Sequence, residues 1–359
     1  MPYPKNKKLG RLLEILSQHR GRNLPFVLYR KPEHTHIRAV LQADAGLHTE
    51  VDLQQPGFLM VPFHPEETTP VFLKADQLFQ APAKRPRLNP LPASPISSPV
   101  AREIHLELVR KSVKALREGA MEKVVVSRRF SLPAPADPFE VFLEGVRWYP
   151  DSFAYLWHHP AVGTWMGVTP ERFLRYHSGV AETLALAGTR IADPQQALPD
   201  WTEKERREQR LVTDFILDTL RAAGLKPQEG PLRNVRAGKL WHLGTTIRTF
   251  AKPEDAPGLL SALHPTPAVC GLPRETAYDF IRQCENYNRE YYTGYLGEVC
   301  LEEEDSFECF VNLRCVQFRG GKAYVYVGGG ITTESDPEAE WEEIQQKSTT
   351  VLSLLQNSP

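Results

Sequence analysis

The order of its apolar segments constrains this chain most. Short β-like pieces follow one another in runs rather than alternating with helices. KVVVSRRF (123–130), SFAYLWHH (152–159), TWMGV (164–168) and RFLRYH (172–177) form one run. YLGEV, FVNLRCVQF and AYVYVGGGI form another, each read as one strand-like piece. Strict alternation would give a parallel sheet with crossover helices, whereas successive strands pair antiparallel. The pattern predicts an α+β protein with largely antiparallel sheets, not a Rossmann or barrel fold.

Helices punctuate these runs. Ile104, Leu108, Val109, Val113 and Leu116 keep a helical spacing, and Gly119 can stop that helix. A long helix is predicted across 202–223, with Leu211, Val212, Phe215, Ile216 and Leu220 as its apolar face. A last one runs from Pro337 to near Leu355. The first hundred residues hold shorter apolar pieces (PFVLYR, GFLMVPF, PVFLKA) that read as strands. Six prolines crowd into 81–100, where missing donors and blocked helix predict a linker or long surface loop.

Charge excludes several classes of function. Across 359 residues, 43 Lys+Arg against 44 Asp+Glu leave −1, without the basic surplus that nucleic acid or an anionic membrane attracts. No apolar run approaches the roughly 20 residues of a membrane span. The N-terminal stretch lacks the apolar core and small-residue cleavage site of a secretory signal, so a cytoplasmic protein is expected. Five cysteines, all between Cys270 and Cys315 and without a CxxC pair, read as reduced thiols.

The informative residues are carboxylates on stripes that should be apolar. Glu208 precedes Leu211, Val212 and Phe215 at helical spacing, although Glu203, Lys204, Arg206 and Arg207 already supply a solvated face. A buried anion must be paired or metal-bound, while the plainer reading is an acid favoured in a helix's first turn. Glu340, Glu343 and Lys347 fall on the stripe continued by Val351, Leu354 and Leu355. Glu343 and Lys347 could instead be a surface pair of about 0.3–0.5 kcal/mol. The run Gly328–Gly330 is read as ending a strand before the last helix, where bare N–H groups and a helix N-terminus would hold an anion. Two glutamates on separate helices near such donors suggest a Mg²⁺ ion shared with a ligand. Lys123 at a strand start, Glu171 after Thr169–Pro170, and His264 and Thr266 in a proline-rich loop are each weak features. A solvated edge, a turn acid and a pocket wall are the plain readings.

Their order is distinctive. EKVVVSRR, GVTPERF, LALAGTR, KERREQRLV, LWHLGT, LHPTPAVCGLP, YYTGYLGEV, VNLRC, VGGGI and SDPEAEWEEIQQK run from about residue 102 to 355. In this the chain resembles the chorismate-utilising enzymes: isochorismate and salicylate synthases and the large subunits of anthranilate and aminodeoxychorismate synthases. The resemblance implies two large stacked, largely antiparallel sheets flanked by helices, with the site in the cleft between. It also implies a catalytic region at 101–359 and a variable N-terminal part at 1–100, joined by the 81–100 linker and belonging to the same fold.

Residue by residue, the resemblance makes Lys123 the general base for water and Glu171 the acid that protonates the departing C4 hydroxyl. Glu208 and Glu343 would hold Mg²⁺, with Glu205 as an outer acidic neighbour. Tyr292, Arg314, Gly328 and Lys347 would bind the substrate carboxylates, and Gly188, Thr189 and His242 would line the ring pocket. Ammonia-using relatives look typically like Gln at the Lys123 position, and aminodeoxychorismate enzymes like Lys at Ala187. Both differences favour water. The implied activity is Mg²⁺-dependent isochorismate synthesis from chorismate, without an obligatory amidotransferase subunit, feeding menaquinone or siderophore synthesis. Rivals are salicylate synthase, an ammonia-dependent relative, and a silent chorismate-binding protein. For the reaction, Glu171 must hold its proton near neutral pH.

Overall fold

Strands that read as continuous apolar runs need cover on both faces. The computed structural model supplies it; it describes residues 3–87, 92–135, 137–191, 198–237 and 240–357, apart from the side chains of 189, 191, 237 and 240. The elements are β1 (Lys5–Asn6), α1 (Leu9–Gly21), β2 (Phe26–Arg30), β3 (His36–Leu41), β4 (Gly57–Val61), β5 (Val71–Lys74), β6 (Gln77–Pro82) and α2 (Pro99–Arg117). Next come β7 (Lys123–Pro133), α3 (Pro138–Trp148), β8 (Phe153–His159), β9 (Gly163–Thr169), β10 (Arg172–His177) and β11 (Val180–Ile191). Then follow α4 (Glu203–Ala222), β12 (Gln228–Ala237), β13 (Leu240–Phe250), α5 (Ala256–Leu263), β14 (Gly271–Leu272) and α6 (Arg274–Cys284). Last are β15 (Tyr295–Val299), β16 (Phe307–Val311), β17 (Cys315–Arg319), β18 (Lys322–Ile331) and α7 (Pro337–Asn357).

The strands form a ten-stranded sheet, β1-β6-β3-β2-β8-β9-β17-β18-β7-β14, and an eight-stranded one, β12-β13-β11-β10-β16-β15-β4-β5. Pairing is antiparallel except for β1 with β6. Phe26 and Leu28 of β2 pack with α1 and α3 on the outer face. Val27 and Tyr29, pointing the other way, join Phe58, Met60, Leu296 and Phe310 of the second sheet in the core between. α4 and α5 cover the outer face of the eight-stranded sheet. The predicted α+β fold of two stacked sheets is the observed one.

Three sequence readings change. FVNLRCVQF is two strands: β16 ends at Val311 in one sheet and β17 starts at Cys315 in the other. The crossing is fixed by Asn312, fully buried, which accepts from Tyr155 Oη at 2.7 Å and donates to the Tyr291 carbonyl at 2.8 Å. Both sheets are covered on both faces, so one apolar pattern serves each and hides the break. Next, Gly328–Gly330 do close a strand shortly before the last helix, since β18 ends at Ile331 and α7 starts at Pro337, but they are not a bare loop: they pair with Ser127, Val126 and Val125 in the β18–β7 ladder. Finally, the ends of the proline-rich stretch belong to β6 and α2. Between them, Ser94 exchanges hydrogen bonds with the Gln356 side chain at 3.1 and 3.0 Å, and Ser98 caps α2. No helix among the described residues is long and apolar enough to cross a membrane.

The two sheets are also joined by charge. Lys31, after β2, reaches Glu298 at 2.7 Å, Glu302 at 2.8 Å and Glu308 at 3.1 Å, and Arg38 adds Glu302 at 2.9 Å. Tyr29 Oη donates to Glu298 at 2.6 Å. Removing one partner of a buried ion group leaves uncompensated charge. Lys31→Met is therefore expected to destabilise the fold by about 3–5 kcal/mol, read by chemical denaturation at neutral pH.

Candidate active site

The inter-sheet cleft opens where β7 and β18 face the start of β10 and the middle of β11. It holds about 750 Å³ free of protein atoms, a space that includes its opening to solvent. Lys123, Glu171, Gly188, Glu208, His242, Tyr292, Arg314, Gly328 and Lys347 all stand on its wall. The structure thus gathers most of the residues that the sequence selected. Thr189 carries the remaining ring-pocket expectation, and its side chain lies outside the described set.

Lys123 is not a solvated strand edge. It is 1% exposed, its strand flanked by β18 and β14, and its Nζ lies 2.8 Å from Glu208 Oε1. Glu208 is not a first-turn acid either: it stands well inside α4, whose N-terminal capping box uses Thr202 and Glu205. Glu205 also accepts from Arg190 Nε at 2.8 Å. Lys204, expected on the solvated face, instead reaches the buried Glu340 at 3.2 Å. Burial, and then the neighbouring Glu343, raise the Glu340 carboxyl.

Glu343 sits one step behind the wall, paired with Lys347, whose Nζ also approaches the Gly328 carbonyl at 3.5 Å. Burial opposes its charge, but Lys347, Lys204 and Arg314 hold the Glu343 carboxyl below its usual range. Among the described residues, no three Asp, Glu, His or Cys side chains gather as a ready metal cluster. The glycines make room. A Cβ on Gly330 would lie 2.8 Å from Glu208 Oε1, and one on Gly328 would lie 3.0 Å from Tyr292 Oη.

Glu171 behaves differently from these paired acids. Burial pushes it up to about 8, against the opposing pull of Lys123 and Arg314. His242 is driven by burial, and then by Arg314, down to about 3, so its ring is neutral; Nδ1 lies 2.8 Å from the Gly188 carbonyl. Arg314 enters from the crossing between β16 and β17 with φ +48°, and its Nη1 donates to the Lys347 carbonyl at 3.1 Å. The cleft therefore carries cationic groups together with a carboxyl that burial keeps protonated near neutral pH.

Tyr326, Thr293, Val125, Leu186 and the pair Ala268–Val269 also line the cleft and were not singled out. The alternation that puts Tyr326 on the same face as Gly328 was the available signal. Ala268 and Val269 bear out the wall reading of the proline-rich loop, while His264 packs among Phe63, Phe173 and Tyr295.

The family model of chorismate binding enzymes matches residues 36–353. This chain belongs to that family. It is 31% identical over 285 residues to isochorismate synthase MenF of Escherichia coli strain K12, covering 75% of this chain and 65% of that protein. It is 35% identical over 257 residues to the salicylate biosynthesis isochorismate synthase of Pseudomonas aeruginosa, covering 66% and 51%. The matched stretch thus spans less than two thirds of either relative. The solved structure of MenF, the menaquinone-specific isochorismate synthase from Escherichia coli, superposes with a TM-score of 0.77 at 24% identity, covering 92% of this chain and 88% of that one. For this chorismate-binding enzyme the fold is that of its solved neighbour.

The Glu171 shift has a thermodynamic signature. Its folded-state value is raised from 4.5 to about 8, so between those limits the native state holds a proton that the unfolded chain has lost. Wild type should lose stability as pH rises through this window, by up to about 1.4 kcal/mol per pH unit. Glu171→Gln removes the titration, and its stability relative to wild type should increase from pH 5 to pH 8 in denaturation experiments.

Proposed function

We propose that this protein is an isochorismate synthase, acting on chorismate by addition of water at C2 and loss of the C4 hydroxyl. The observation that carries the reading is a lysine and a raised-pKa carboxyl on the wall of one cleft beside cationic groups. Chorismate is a dianion, which Arg314, Lys347 and the Tyr292 hydroxyl suit by charge and hydrogen bonding. Lys123, ion-paired to Glu208 here, takes a proton from the incoming water once it has given up its own and stands as the free amine. Glu171, protonated near neutral pH, donates to the departing hydroxyl. In the reverse direction the two exchange roles. Ala187 and Gly188, with the neutral His242, shape the ring pocket.

The donor set suits Mg²⁺: Glu208 and Glu343 present hard carboxylate oxygens toward the Gly329–Gly330 strand, and this ion commonly uses one or two protein carboxylates with substrate oxygens. When bound, it would supply positive charge to the ring carboxylate. Residues 1–100, with the 81–100 linker, and 101–359 act as one catalytic body in this reading. The enzyme works in the cytoplasm without an amidotransferase subunit, and its product serves menaquinone or siderophore synthesis. Lys123 and Ala187 support water over ammonia.

The test is the product formed from chorismate and Mg²⁺. Isochorismate without pyruvate is expected; pyruvate release would assign a salicylate synthase, and predominant amination with ammonium salts the ammonia branch. Lys123→Ala should lower turnover by about 10²–10⁴ in both directions while calorimetry still detects chorismate binding. Calorimetry should also detect Mg²⁺ binding that Glu208→Ala abolishes.

A further inference from the structure

Arg289 lies off the cleft wall and is fully buried (0% exposed), yet it touches three segments that build that wall. Its Nη2 donates to the Val125 carbonyl at 2.7 Å, and its Nη1 to the Val269 carbonyl at 3.0 Å and Thr293 Oγ1 at 3.2 Å. Nε and Nη2 also grip Glu285 at 2.9 and 2.6 Å. All five guanidinium N–H groups therefore have acceptors. The Glu285 oxygen that takes Nη2, Oε1, also accepts from the Ser127 amide at 2.7 Å and from Ser127 Oγ at 2.9 Å. The planar group lies over Phe63, 4.5 Å from its centroid.

The acceptors decide what the group does. Val125 is two residues from Lys123 on β7, Val269 is in the loop wall, and Thr293 adjoins Tyr292. A lysine at 289 would have only three donors and no planar fork. We propose that Arg289, clamped by Glu285, is a positioning residue that fixes the Lys123 strand against the Val269 wall and the Tyr292–Thr293 segment. The inference rests on the proposed reaction for its consequence in turnover, but the geometry it claims does not. Small displacements of a reacting group cost up to about a hundredfold in rate. Tyr292 belongs to the segment that Arg289 fixes, but Arg314 and Lys347 supply the cationic charge for the substrate from other segments, so affinity falls less than kcat.

The experiment compares Arg289→Lys and the milder Ser127→Ala with wild type in kcat, chorismate affinity by calorimetry, thermal unfolding and amide exchange across 123–127 and 266–270. For folded Arg289→Lys, kcat is expected to fall about ten- to hundredfold, with affinity within about threefold and exchange faster at both segments. Wild-type kcat in that folded variant overturns the proposal, as does a rate loss matched by an equal loss of folded protein. If Arg289→Lys does not fold, Ser127→Ala decides: a lower kcat with faster exchange at 123–127 and unchanged melting supports positioning, and wild-type kcat refutes it. Exchange separates this inference from the reaction assignment. Wild type that forms another product, with faster exchange in the variant, removes only the assignment; unchanged exchange in a folded variant removes the inference whatever the product.

Discussion

A charge taken between two packed sheets must meet an opposite charge there, and much of this structure follows from that requirement. The Lys31 ammonium is shared among three carboxylates that join the layers. Arg289 is held by Glu285, and Lys123 by Glu208 from a helix laid over the other sheet. The Lys31 and Lys123 pairs join separate elements directly, and the Arg289–Glu285 pair does so through its hydrogen bonds to Val125 and Ser127 of β7, so charge matching shapes the cleft alongside apolar packing. Glu171 is the exception: without a close cationic partner strong enough to offset burial, it answers the same requirement by keeping its proton.

Much of this was legible in the sequence, for definite reasons. The hairpin-like runs announce antiparallel sheets because turn spacing and apolar length are local properties. Glu208 and Lys347 declared themselves by occupying stripes that Val212 and Val351 show to be inward-facing. The division of FVNLRCVQF was not legible, since Val311 and Cys315 are buried alike in different sheets. Nor was the use of the glycine run. A sequence reader sees donors there, whereas the structure uses missing side chains to leave space beside Glu208 and Tyr292. Arg289 left little signal because Glu285 four residues before it reads as an ordinary ion pair, and two of its other acceptors are carbonyls, which every residue carries.

The neutral His242 and the charged Arg314 illustrate how one cleft separates roles without separate domains. Both are buried, but an imidazole can relinquish its charge at low cost whereas a guanidinium retains its own. The cleft thus carries a lasting positive charge at Arg314 and an uncharged imidazole at His242 on one continuous wall.

The proline-rich strap has a consequence for how the protein is made. Ser94 is bonded to Gln356, and β4 of the eight-stranded sheet pairs with β15. Some edges of the early strands therefore find their partners only when much later segments have left the ribosome. β2 and β4 can pair early with β3 and β5, but the other edge of each waits for β8 or β15 and is exposed to mispairing meanwhile.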